Sequence, residues 1–129
     1  EEQEYCEQAS NIHYFYDSNT SVRLAEGDSW QSICDEVIDK LSESVYISFD
    51  IDGLTPDLCP HTGTPVPGGM SYQQMEVLLY TLSKSGKKVI GFDLSEVSPE
   101  SSYDLDCWDT NVGARVLFKL AGVTIRTNN

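Results

Sequence analysis

A chain of 129 residues with 40% hydrophobic and 22% charged side chains suits one compact globular domain, residues 1–129, and excludes disorder throughout. Its 21 acidic and 8 basic side chains leave a formal net charge of −13, a field that repels phosphate backbones and excludes nucleic acid as a partner. No apolar run approaches the roughly 20 residues of a membrane span, and the N-terminus lacks a basic-then-apolar signal pattern, so a soluble cytoplasmic protein with no membrane partner is expected.

The opening EEQEYCE holds four of the acids and reads as a solvated leader with helical character rather than a binding tail. In NIHYFYD, residues 11 to 17, Ile12, Tyr14 and Tyr16 take one side and His13 and Phe15 the other, which predicts a strand. The following SNTS reads as a turn. Trp30, Ile33, Cys34, Val37, Ile38 and Leu41 then recur at the spacing of one helix face, with Asp28 or Ser29 placed to cap the start. Residues 45 to 52 alternate again, Val45, Ile47, Phe49 and Ile51 against Tyr46, Ser48, Asp50 and Asp52, and predict a second strand.

Ser71 with Gln74 makes a capping-box pattern ahead of Tyr72, Met75, Leu78, Leu79 and Leu82, so a helix is expected over 71 to 85, ended by Gly86 in a left-handed conformation. Val89 to Leu94 supplies a third strand. Val112, Val116, Leu117, Leu120 and Ala121 mark a last helix closing near Gly122. Strands separated by helices of this length imply right-handed crossovers and a parallel sheet covered on both faces, the three-layer α/β/α class. Cys6, Cys34, Cys59 and Cys107 stand far apart with no C-x-x-C pair, which argues against a structural zinc site and for reduced thiols.

In such a sheet ligands collect beyond the carboxyl ends of the strands, where FDID and FDLSE both fall. At about 3.3 Å of rise per residue, Asp50 and Asp52 would project from one face of their strand with α-carbons on the order of 7 Å apart. Two carboxylates in a partly dry crevice repel each other and lose hydration, so one takes up a proton unless a cation neutralises the pair. Hard ions such as Mn²⁺ or Mg²⁺ favour ligands of this kind. An acidic strand end can also be merely solvated. A helix-loop-helix calcium loop wants Gly sixth and Glu twelfth, whereas Gly53 is fourth and His61 twelfth. ISFDIDG is also similar to the D-x-D-G of dehalogenase-like phosphatases, in which the first Asp is a nucleophile. There, however, the pattern opens the domain and runs directly into Thr, where Leu54 stands here.

Three ordered segments, SFDIDGLTP at 48–56, TGTPVPGG at 62–69 and GFDLSEVSP at 91–99, together resemble the ureohydrolase family of arginase, agmatinase and formimidoylglutamase. The resemblance runs from His13 to Gly122 and implies the C-terminal part of an arginase-like fold. Members hydrolyse a guanidinium or formimino C–N bond with a hydroxide held between two Mn²⁺ ions. By that resemblance Asp50 and Asp52 are metal ligands, and Glu96 pairs with the cationic amidine of a small substrate. The three are the catalytic set. Asp93 would support a metal-ligand histidine, and Thr64 and His61 would line the substrate crevice.

The family's upstream Gly-Gly-Asp-His and D-A-H-x-D motifs have no match, and His13 and His61 are the only histidines. The resemblance therefore implies the C-terminal portion of a longer enzyme, inactive alone and with weak or absent metal binding. Thr55 stands where many members carry Asp. DTNVGAR, 109–115, resembles formimidoylglutamase-like members more than arginases. Half a parallel sheet would leave an edge and apolar surface uncovered, so self-association with another copy is expected. The rival classes are a metal-free binding or scaffold domain of the same fold and, behind it, the dehalogenase-type phosphatase.

Overall fold

The computed structural model describes residues 4, 8–100 and 106–129, so most of the acidic opening lies outside the described residues. In chain order the elements are helix α1 (Asp17–Glu26), helix α2 (Trp30–Lys40), strand β1 (Ser44–Asp50), a single 3-10 turn (Ile51–Gly53), helix α3 (Tyr72–Lys84), strand β2 (Lys88–Ser95) and helix α4 (Trp108–Thr127). The two strands pair in parallel from Ser44 opposite Lys88 to Asp50 opposite Ser95, with a register shift after Val45. α3 is the crossover between them. A parallel sheet with flanking helices is the α/β class expected from the sequence.

The predicted alternation in β1 is the reason it pairs as it does. Val45 and Phe49 are buried, and Tyr46, Ser48 and Asp50 are exposed on the opposite face. The apolar face joins Val89 of β2, Ile38 of α2, Met75, Leu79 and Leu82 of α3, and Val112, Val116, Leu120 and Val123 of α4 in one core. Burying a side chain of this size contributes about 1.5–3 kcal/mol. α3 packs against both α2 and α4, and α4 packs against β2.

The helix starts follow from local chemistry. Ser29 Oγ accepts the Ser32 N–H at 3.0 Å, so Ser29 rather than Asp28 caps α2. At α3 the Gln74 N–H donates to Ser71 Oγ at 3.1 Å and the Ser71 N–H to Gln74 Oε1 at 2.8 Å, the reciprocal capping box. Gly86, at φ 84°, follows the α3 C-cap Ser85 as expected. Arg23 ties α1 to α2 through two bonds to Glu36 at 2.9 and 2.5 Å and one to Asp28 at 2.8 Å.

Three expectations fail. Residues 12–16 form no strand, and SNTS is the body of α1 rather than a turn. Tyr14 and Tyr16 do share a side, their rings 4.8 Å apart, but among the described residues the alternation has no partner strand to join. The observed order is thus helix, helix, strand, helix, strand, helix. Finally, Gly122 does not end α4, which runs on to Thr127. Glycine costs about 1 kcal/mol inside a helix, and the burial of Leu120 and Val123 on either side outweighs it.

Cys34 and Cys59 are buried in the core region, and Cys6 lies outside the described residues. Among the described residues no helix is long and apolar enough to cross a membrane.

Candidate functional site

Asp50 and Ser95 lie opposite each other where both strands end, at the carboxyl rim of the parallel pair. Beyond Asp50 the chain does not continue as strand. It tightens into the turn Ile51–Gly53, with the Asp52 N–H donating to Asp50 Oδ1 at 3.4 Å and the Leu54 N–H to the Ile51 carbonyl at 3.0 Å. Asp50 and Asp52 therefore do not project from one face of a continuous strand. An aspartate that captures the N–H two residues on bends its own backbone, and here that local bond wins over the ladder.

The turn nonetheless brings the two carboxyl groups within hydrogen-bond reach of each other. The Asp50 carboxyl is held above the ordinary carboxylate range. Lost hydration is the main cause, the Asp52 N–H opposes it, and the charges of Asp52 and Glu96 add to it. Among the described residues no Lys or Arg pairs with either acid; the ion pairs of Arg23 and Lys119 are made with Asp28, Glu36 and Glu76. Thr64 Oγ1 donates to Asp52 Oδ2 at 2.7 Å and fixes it from the opposite loop.

Glu96 follows β2 directly and sits at φ 61°, the left-handed region, which costs a non-glycine residue about 1–2 kcal/mol. Two contacts hold it there. Thr62 Oγ1 donates to the Glu96 carbonyl at 3.1 Å. Val97 lies so close to α4 that a Cβ on Gly113 would meet its Cγ1 at 2.7 Å. Residues 62–64 run alongside the acids: a Cβ on Gly63 would stand 3.0 Å from Glu96 Oε2. The Pro-Gly stretch after them is pressed onto the turn, since a Cβ on Gly69 would lie 2.7 Å from the Leu54 carbonyl. The Met70 N–H completes that contact with a 2.9 Å bond to the Gly53 carbonyl.

Asp50, Asp52, Thr64 and Glu96 thus come together. Asp93 stands apart, on the polar face of the sheet. Its Oδ1 accepts from Ser48 Oγ at 3.0 Å and Ser95 Oγ at 3.4 Å, and its bond from the Tyr46 hydroxyl raises that tyrosine's pKa. His61 does not touch the acids either. Its N–H donates to Asp109 Oδ1 at 2.9 Å and its Nδ1 meets Asp109 Oδ2 at 3.0 Å. This bond to Asp109 lifts the imidazole above its ordinary pKa. Asp109, in the first turn of α4, is fully buried and is the residue that sequence reasoning missed. The one signal for it, an acid at a helix start, is shared by countless solvated residues.

Among the described residues no three His, Cys, Asp or Glu side chains gather closely enough to hold an ion. Asp50 and Asp52 offer two hard oxygen donors whose mutual repulsion a divalent cation relieves. They fit part of a metal ligand set, not the whole of one.

The model of the arginase family matches residues 2–122. The chain is similar to the N(1)-aminopropylagmatine ureohydrolase of Thermus thermophilus, 45% identical over 69 residues that cover 54% of this chain and 23% of that protein. It is 37% identical to the agmatinase of Pyrococcus horikoshii over 91 residues, 70% of this chain and 31% of that one. The solved structure of proclavaminate amidino hydrolase from Streptomyces clavuligerus superimposes with a TM-score of 0.73 at 25% identity, covering 90% of this chain and 36% of that one. The chain therefore spans 23% and 31% of the lengths of these two curated relatives. With nearly its whole length matched by the family and its parallel pair superimposed on that fold, the chain belongs to the arginase family.

Proposed function

We propose that this chain supplies the acidic half of a ureohydrolase site, acting on the C–N bond of a guanidinium or formimino group once the remaining ligands are present. The observation that carries this reading is the pairing of Asp50 and Asp52 at the strand end, Thr64 bonded to Asp52 and Thr62 and Gly63 lying against Glu96, with no Lys or Arg among the described residues to neutralise Asp50 or Asp52. Asp50 and Asp52 would hold a pair of Mn²⁺ ions, which when bound activate water toward an amidine carbon near neutral pH. Thr64 fixes Asp52 for that task. Glu96, locked by Thr62 and Val97, orients the planar cationic head of the substrate. Asp93 would support ligands from the adjoining polar face.

The test is to graft residues 44–122 into the matching part of the Thermus thermophilus relative and measure both hydrolysis of amidine substrates and bound Mn²⁺ by electron paramagnetic resonance. Hydrolysis with bound Mn²⁺ is expected, with both lost in Asp52→Ala. Unchanged activity and Mn²⁺ content in that variant overturn the assignment. A folded graft that binds no Mn²⁺ would instead support a second reading, a metal-free binding domain of the same fold. The groove along β1, lined by Val45, Ile47, Phe49, Met75, Leu79 and Leu82, supports the proposed association with a second copy. Sedimentation showing only monomer at high concentration overturns that proposal.

A further inference from the structure

We propose that His61 is a specificity-determining residue that receives a carboxylate at the far end of the substrate, favouring amidines and guanidines that end in an acid over those that end in an amine. The inference rests on the ureohydrolase reading and deepens it.

The geometry begins with Asp109. This buried carboxylate spends one oxygen on the His61 N–H and the other on His61 Nδ1, so both the backbone and the ring of residue 61 are fixed from one side. An Nδ1 that faces a carboxylate carries the proton, which leaves Nε2 directed away from Asp109. The side chain is 40% exposed, and Nε2 is the ring nitrogen that Asp109 leaves unbonded. The bond to Asp109 favours the imidazolium, lost hydration opposes it, and the charges of Asp109, Glu100 and Cys107 add to the first. A protonated ring donates from Nε2.

Its position along the crevice follows from the residues beside it. Thr62, Gly63 and Thr64 contact the Glu96 carbonyl, the Glu96 carboxylate and Asp52 in turn, so His61 begins the wall that runs past the acids. Two residues of extended chain span at most about 7 Å, which bounds the separation of the α-carbons of His61 and Gly63. A linker of three or four methylenes, at about 1.5 Å per bond, covers a comparable distance. A substrate whose cationic head lies at Glu96 is thus long enough for its tail to reach His61.

The charges then decide which tail is tolerated. Asp50, Asp52 and Glu96 lie along this rim with Asp109 buried behind His61, and of these residues only His61 can be positive. A carboxylate tail meets repulsion everywhere except at Nε2, and an ammonium tail meets attraction everywhere except there. His61 acts on the difference between the two ligands rather than on their common head.

The test titrates the isotope-labelled chain, by NMR, with two probes: 4-guanidinobutanoate, which ends in an acid, and agmatine, which ends in an amine. Both are expected to move the Thr64 and Glu96 amide signals. Only 4-guanidinobutanoate is expected to raise the titration midpoint of the His61 ring in the unmutated chain. In His61→Gln the ratio of the two dissociation constants should shift by about fivefold toward agmatine, the scale of one partly exposed charge contact. If Thr64 and Glu96 respond to both probes while the His61 midpoint and the ratio stay fixed, the inference about His61 is overturned and the ureohydrolase reading stands. If neither probe moves Thr64 or Glu96, the inference about His61 is overturned, while the ureohydrolase reading, which needs the remaining ligands, is decided by the graft.

Discussion

Replacing Gly69 by alanine tests whether the acid-bearing turn is shaped by backbone contact from the Pro-Gly loop. Gly69 sits at φ 90°, and a Cβ there would lie 2.7 Å from both the carbonyl carbon and oxygen of Leu54 and 3.0 Å from the Gly53 carbonyl. Backbone cannot swing aside as a flexible side chain does. Left-handed strain in alanine costs about 1–2 kcal/mol, and forcing the two backbones apart adds about 1–3 kcal/mol by analogy with an overpacked core. Gly69→Ala is therefore expected to lose about 2–5 kcal/mol, a large share of the 5–15 kcal/mol typical of a domain. Gly86 provides the control, because it shares a positive φ of 84° but has nothing within 4 Å of its Cβ position. Gly86→Ala should lose only the strain, about 1–2 kcal/mol. Urea titrations of both variants, with a slope of about 1–3 kcal/mol/M, should place the Gly69→Ala midpoint roughly 1 M below that of Gly86→Ala. Equal midpoints would show that the loop does not press on the turn, and the account of how Asp52 is positioned would have to be abandoned.

Further outcomes follow from other contacts. The His61 imidazole has a raised folded-state pKa, so its pairing with Asp109 stabilises fully below the unfolded value of about 6.5 and fades as pH rises through the folded value. The stability gap between the native chain and Asp109→Asn should accordingly be wider at pH 5.5 than at pH 9 in denaturant titrations; a gap that widens with pH refutes it. Thr64→Val removes the bond to Asp52 and should leave stability within about 1 kcal/mol while weakening Mn²⁺ binding by the graft about 10–100-fold, read by paramagnetic resonance. Within α4 two glycines should respond with opposite signs. Gly122→Ala meets nothing within 4 Å and should stabilise by about 0.5–1 kcal/mol. Gly113→Ala drives into the stiff Val97 and should destabilise by about 1 kcal/mol once the helix gain is subtracted, as thermal melts of the pair would report.

The elements that could be read from sequence are those whose signals are local. The apolar spacing of α2, the Ser71 and Gln74 reciprocity and the alternation of Val45, Ile47 and Phe49 act within a few residues, and each appears where expected. Signals that depend on a distant partner misled. Ile12, Tyr14 and Tyr16 alternate as a strand does, but alternation makes no strand without a neighbour. SNTS is poor in helix formers, yet it lies in a helix that Arg23 clips to Glu36, thirteen positions further on. Asp50, Asp52, Glu96 and Thr64 could be singled out as candidates because they sit in recognisable segments. The turn that joins the aspartates, the left-handed backbone of Glu96 and the grip of Asp109 on His61 were not legible. Each is decided by a hydrogen bond or close contact that has no signature in residue order.

Ile51 stands between the two aspartates and is fully buried, part of the same core as Val89 and Leu120. The claw formed by its neighbours is consequently bolted to the cooperative unit of the domain and cannot open while that unit stays shut. A cation held by the claw would then raise the stability of the folded state, and with it the melting temperature, by an amount set by the logarithm of one plus its concentration over its dissociation constant. A calorimeter trace run with and without Mn²⁺ thus becomes a gauge of occupancy that needs no substrate.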